Sequence, residues 1–331
     1  MADYQYSKAL VLRFYEALEA ATADNVGTIV EAFTSADYQF RGVHPFNEIE
    51  GADAVSGTVW KPLFDAFTAT QRRQDIFMAG TNNEDGSEWV TSMGNFMGLF
   101  DNDWLGIPAT GKITFLPYVE FNKISDGKIS ESAFFCDIVS VMKQVGLTPL
   151  PMQTGAEIIS PGPRTHDGLM FDAQDEAESA KTLELVNKMC DDLVADGLRS
   201  PSKTLARTWH EDMAWYGPSG IGATYTIDRY QIQHQGPFGE SLDDIVFNGH
   251  VCNYAEGNYA SWFGWPSLTM TSSGGFMGLP AFDGRLHMRV VDMYRRDSDK
   301  LAENWIFIDM LYWMLQQGVD VLERTRRIVR R

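Results

Sequence analysis

One pattern occurs twice in this chain, and it limits the folds open to it. Residues 131–146 read ESAFFCDIVSVMKQVG and residues 303–318 read ENWIFIDMLYWMLQQG. At an offset of 172 they share Glu131 with Glu303, Phe135 with Phe307, Asp137 with Asp309, Met142 with Met314, Gln144 with Gln316 and Gly146 with Gly318. Upstream, GNFMGL at 94–99 recurs as GGFMGL at 274–279. The stretch from FMGL to the aspartate is longer in the first copy, which predicts an insertion at 101–112. A period near 170 residues is too long for a solenoid and suits two duplicated domains.

Each copy opens on an amphipathic helix, with Leu10, Val11, Phe14, Tyr15 and Leu18 on one face in the first and Leu185 or Val186, Met189, Cys190 and Leu193 in the second. Shorter helices are expected at 26–33 and 203–209, strands at 38–41 and 213–216, and a third helix at 54–67 before a run of strands. Helices followed by an antiparallel sheet form an α+β pattern. Four prolines within 147–170 exclude a helix or a central strand there. The expected division is therefore a domain over 1–147, a proline-rich linker over 148–173 and a second domain over 174–331. Ile158, Ile159, Leu169 and Met170 predict that the linker lies against the domains.

With 331 residues, each copy can bury its own core. The net charge of -18 argues against nucleic acid and anionic membrane surfaces, and leaves a small apolar or aromatic molecule as the expected partner. The N-terminus has no basic start with an apolar run behind it, and no span reaches 18 apolar residues, so a cytoplasmic location is expected. Cys136, Cys190 and Cys252 lack CxxC or Cys/His spacing, and neither GxGxxG nor GxxxxGK[ST] occurs. No metal and no cofactor are expected.

In a strand, alternate residues share a face. Glu131, Ala133, Phe135 and Asp137 therefore line up, as do Glu303, Trp305, Phe307 and Asp309. Six residues of strand span about 20 Å, so the Glu and Asp of one copy are not a catalytic pair. Two readings of each aspartate stay open. It can stand at the end of an aromatic face, where desolvation raises its pKa toward that of a working acid or base. It can equally cap the next helix by accepting backbone N–H bonds, which lowers its pKa.

Residues 110–146, TGKITFLPYVEFNKISDGKISESAFFCDIVSVMKQVG, resemble the C-terminal signature of the SnoaL-like polyketide cyclase family: a TG-K/R start, a strand ending in a DGKI turn, then E, an aromatic, D and a closing Q-x-G. Residues 11–45 are similar to the family's N-terminal helices and first strand. The second copy matches more loosely. This resemblance implies two tandem cone-shaped α+β barrels of the nuclear transport factor 2-like (cystatin-like) type, each a curved antiparallel sheet packed on N-terminal helices. The pair would form an internal pseudo-dimer, with further homo-oligomers left open.

The resemblance also implies a cofactor-free intramolecular aldol condensation with the motif aspartate as acid/base, a role that falls on Asp137 and Asp309. Trp305 supplies the family's aromatic where the first copy has Ala133, which favours Asp309. His44, just after the first strand, is where the family presents a polar group to the cavity, and His287 is a second candidate. Phe135, Trp305 and Phe307 would be aromatic walls. His166-Asp167 on the linker has no nucleophile motif beside it. The expected function is a cofactor-independent lyase or isomerase acting on an apolar, enolisable molecule. The alternatives are an epoxide hydrolase-type enzyme, in which an aspartate activates water, and a non-catalytic carrier.

Overall fold

The apolar stripe from Leu10 to Leu18 forms helix Gln5–Glu19 in the computed structural model, which describes residues 4–329. Helix Val26–Phe33 follows, and the chain then builds a six-stranded sheet from β1 (Thr34–Gly42), β2 (Asn47–Glu50), β3 (Phe67–Thr81), β4 (Glu88–Phe100), β5 (Ile113–Ser125) and β6 (Lys128–Cys136). Its order is β2-β1-β6-β5-β4-β3, with β1 parallel to β6 and the other pairs antiparallel.

The second half repeats this plan. Helix Glu176–Ala195 precedes β7 (Trp209–Tyr216), β8 (Ala223–Tyr225), β9 (Leu242–Phe247), β10 (Cys252–Glu256), β11 (Tyr259–Ser272), β12 (Phe282–Asp297) and β13 (Lys300–Ile308). The order is β8-β7-β13-β12-β11-β10, β9 also pairs with β11, and β7 runs parallel to β13. Where the first half has the single long strand β3, the second has β9 and β10 with a break at 248–251. The central helical segments also match piece by piece: Ala52–Val55, Ser56–Trp60 and Lys61–Ala66 against Ile227–Tyr230, Gln231–Gln235 and Gly236–Ser241, each with a π-helical turn in the middle. The chain is α+β with two curved sheets. Bulges in both bend the strands around an inner face covered by helices.

Three sequence expectations need correction. The helix expected at 203–209 shrinks to Ser202–Leu205, because Trp209 already pairs with Leu301 in the sheet. Phe96 sits in β4, whereas Phe276 sits in a short 3₁₀ turn between β11 and β12, so the FMGL segments are not counterparts. The insertion inferred from them disappears as well. The Phe96–Leu116 and Leu268–Met288 pairs enclose hairpins of equal length, and the halves differ instead by a bulge between Gly264 and Leu268.

The two outer sheet faces pack on one another, with Phe263 against Trp89, Phe121 and Phe135, and Trp265 edge-on to Phe135. At the sheet edge, Lys8, buried, donates to Glu256 (2.5 Å) and to the Met170 carbonyl (2.6 Å), while Glu256 accepts from the Ala79 N–H (2.7 Å). The proline-rich segment lies across both halves. Gly155 and Ala156 pair with Ile221 and Ala223, Arg164 N–H reaches Glu303, and Phe77 N–H bonds Gly168 O. His166 is exposed, with its neighbour Asp167 held by Tyr259 (2.5 Å). Such a segment resists proteolysis while the protein is folded. Under limited trypsin or subtilisin digestion, 155–168 is expected to be cut no faster than the protein unfolds; rapid cleavage there in the native protein would contradict these contacts.

Candidate functional site

The strand faces carrying the repeated motif are the outer ones. Asp137 caps helix Ile138–Gln144 by accepting the Ser140 N–H (2.8 Å), and its other oxygen crosses to the second half and accepts the Ser219 N–H (2.9 Å). Asp309 caps Met310–Gln316 through the Tyr312 N–H (3.1 Å), crosses to the first half for the His44 N–H (2.9 Å), and meets Arg289 (3.1 Å). The sheet registers make His44 and Ser219 counterparts, so the two aspartates exchange equivalent bonds across the interface. Burial pushes both carboxyls up, Asp309 to about 6, against the lowering effect of the bonds they accept.

The remaining motif residues also have structural duties. Glu131 pairs with Arg41, and Glu303 with Arg295 (2.5 Å). Gln144 bonds the backbone of Phe115 as Gln316 bonds that of His287. Gly146 and Gly318, at φ +86 and +83, end their helices in the left-handed conformation that glycine adopts most readily.

The expectation that these side chains face an open cavity is therefore not what the structure has. Asp137, Asp309 and His44 do come together, but the gap between them is ≈ 10 Å³, room for at most a water. Phe135 belongs to the interface, and Phe307 is buried on the same outer face. The Trp305 indole donates to Pro161 O (2.7 Å), and His287 is exposed beside Thr269.

A real cavity lies on the inner face of the second half. It measures ≈ 130 Å³ and is walled by helix Glu176–Ala195 (Met189, Cys190, Leu193), by the helical segment bearing Tyr230, His234 and Phe238, and by the inner residues of β7, β11, β12 and β13. Asp292 stands at its centre on β12. The Asn304 amide donates to its carboxyl (2.7 Å), and burial with no cation alongside raises it to about 8. Trp262 is its cross-strand partner, and the indole N–H of Trp262 has no acceptor in hydrogen-bond geometry. His234 stacks on Trp215 (4.1 Å), His250 lies tilted against Trp262 (4.5 Å), and neither Nδ1 has a partner. Burial lowers the two imidazoles to about 3 and about 4, so both are neutral near pH 7.

The first half shows what this architecture does with the same acid. Glu120 precedes Asp292 by the offset that relates the two motif aspartates, and it occupies the same register. There Arg72 pairs with Glu120 (2.7 Å) and lies over the rings of Tyr15 (3.7 Å), Phe96 (4.5 Å) and Tyr118 (4.8 Å). In the second half Cys190 stands for Tyr15, Leu268 for Phe96, Val290 for Tyr118 and Ile306 for Phe134, so bulk is removed on several sides. His234 and Gln235 stand where the first half has Val59 and Trp60.

No protein-family model and no curated protein sequence matches the chain. Solved structures similar to it include a protein assigned as a SnoaL-like polyketide cyclase from Jannaschia sp. CCS1, with 20% identity and TM-score 0.35 over 44% of this chain and 95% of that one. One assigned as a polyketide cyclase from Xanthomonas campestris pv. campestris gives 20% and 0.36 over 44% and 100%. An NTF2-like protein from Burkholderia xenovorans LB400 gives 13% and 0.34 over 42% and 97%. Each aligns with less than half of this chain, and the two-sheet description rests on the chain's own strand order. Among the described residues, no helix is long and apolar enough to cross a membrane, and no group of three or more His, Cys, Asp or Glu is placed to hold a metal ion.

Asp137→Ala and Asp309→Ala each remove a cap and a bond between the halves. Each is expected to lower unfolding stability by about 1–3 kcal/mol in chemical denaturation while leaving ligand binding in the cavity intact. Loss of binding with unchanged stability would return these residues to the site.

Proposed function

We propose that the second cavity binds a neutral, largely apolar molecule about one ring in size, and that Asp292 moves a proton on it at a carbon beside a carbonyl. The observation that carries this reading is the Asp292 carboxyl, buried in an apolar cavity with an amide beside it and no cation, where the equivalent Glu120 is neutralised by Arg72. No lysine or arginine lines the cavity, so an anionic ligand would meet no compensating charge. Its ≈ 130 Å³ is close to the roughly 150 Å³ of an engineered cavity that holds benzene, which favours a single ring over a fused polycycle.

A base is most effective when its pKa lies near the working pH. In this reading the ionised Asp292 takes the proton from carbon, and the electron pair moves onto the carbonyl oxygen. That oxygen accepts the indole N–H of Trp262, which turns toward Tyr294 and Cys190 without a well-aligned acceptor and is a donor in place before the charge develops. Returning the proton at another carbon completes an isomerisation; attack of the enolate carbon on a second carbonyl, with Asp292 giving its proton to the alkoxide so formed, completes an aldol-type ring closure. Asn304 positions the carboxyl, and the neutral imidazoles of His234 and His250 offer unpartnered nitrogens to polar groups on the ligand.

The test is hydrogen–deuterium exchange at C6, the saturated α-carbon, of cyclohex-2-enone in D2O, followed by NMR. The wild-type protein is expected to accelerate exchange, with a rate that rises with pH and levels off above about 8 as Asp292 ionises. Asp292→Asn should lose about 100-fold or more. Exchange unaffected by Asp292→Asn contradicts the role of Asp292, and binding without exchange in the wild type favours a carrier. Stability gives a second readout. The folded pKa lies above the ordinary 3.8, so the folded protein holds a proton that the unfolded chain releases, and stability falls as pH rises from about 4 to about 8. Asp292→Asn should flatten that slope and raise the melting temperature more at pH 9 than at pH 5.

A further inference from the structure

Two of the residues lining the cavity of the second half are exposed, Val194 on the helix and Phe247 where the sheet is interrupted. β9 ends at Phe247, the chain leaves the ladder over 248–251, and β10 resumes at Cys252. Gly249, at φ +92, turns this break with open space around it. The Phe247 ring is 38% exposed, lines the cavity, and packs edge-on against His250 (5.0 Å). In the first half β3 runs unbroken through the same region.

The registers identify the counterpart of Phe247. Arg72 pairs with Phe96, which pairs with Leu116, four residues before Glu120. Phe247 pairs with Leu268, which pairs with Met288, four residues before Asp292. Arg72 and Phe247 therefore occupy one position of the shared architecture. In the first half that side chain reaches inward, is almost fully buried, and fills the space beside the acid with its own guanidinium. In the second half an aromatic ring stands at the rim and leaves the acid facing an open cavity.

We propose that this single position decides whether a cone takes a ligand: Arg72 is the built-in occupant of the first, and Phe247 is the specificity-determining residue of the second, setting the size of molecule that enters beside Asp292. The first half is then a scaffold closed to ligand, and all ligand chemistry belongs to the second. This rests on the second cavity being a ligand site, but not on Asp292 being a base.

The test uses the full-length protein and two uncharged probes, benzene and naphthalene, with affinity read by tryptophan fluorescence and by NMR line shape. Neither probe has an exchangeable α-proton or a carbonyl, so the result is independent of turnover. F247R installs the first-half residue; it is expected to fold, to pair with Asp292, and to weaken benzene binding by at least about tenfold. F247A should shift the preference between the probes toward naphthalene by about tenfold or more, on the scale of one to several methylenes in an apolar pocket. Should F247R fail to fold, F247A and F247W still decide, with F247W expected to shift the preference toward benzene. F247R binding benzene within twofold of wild type, or a preference unchanged in both F247A and F247W, would overturn the proposal. Probe binding that follows these expectations while enone exchange ignores Asp292→Asn would leave it standing and remove the acid/base reading alone.

Discussion

A carboxyl buried at the centre of a curved sheet has two stable conditions: paired with a cation, or holding its proton in apolar surroundings. This protein contains both at one register position. Glu120 is matched by Arg72 inside a cage of rings, and Asp292 has the Asn304 amide and the Tyr294 hydroxyl beside it but no cation. The other differences between the halves follow that choice. Where the ion pair fills the cone, the surrounding side chains are large and the edge strand is continuous. Where the cation is missing, four of them shrink to Cys190, Leu268, Val290 and Ile306, Trp262 and Tyr294 replace Ser92 and Asn122, and the edge strand breaks beside Phe247.

The interface obeys a different rule, that of satisfying backbone donors. Asp137 and Asp309 each serve the first turn of a helix and a backbone N–H on the opposite half, so two short helices and two loops are fixed by two side chains. The repeated Glu, Asp, Gln and Gly thus preserve a junction. A pattern kept in both copies marks what both need, and both need the junction.

That is why the fold was legible in the sequence and the surroundings of the motif side chains were not. The helix carrying Leu10 to Leu18, the helix at 26–33, the strand-rich remainder and the two-fold plan could be read from periodicity; of the four apolar residues that pointed to a packed linker, Met170 is buried while Ile159 and Leu169 stay exposed, and the linker is held mainly by backbone bonds. Strand alternation correctly grouped Glu303, Trp305, Phe307 and Asp309 on one face, but alternation cannot say which face turns inward. Asp292 carried a usable signal: a lone acid within LHMRVVDMY, at the same offset from Glu120 in FLPYVEFN as between the motif aspartates. The exchange of Arg72 for Phe247 carried none, because the strand break and the bulge between Gly264 and Leu268 shift the alignment there. The chance likeness of the two FMGL segments hid that shift.

The second cone presents an acid with no cation beside it. Following the side-chain carboxyl carbons by ¹³C NMR across a pH titration tests it directly, with Asp292→Asn used to identify the Asp292 resonance. The account predicts that Asp292 titrates near about 8. An Asp292 resonance that titrates near the ordinary 3.8 would mean that its charge is already compensated, and the distinction drawn between the two halves would fail.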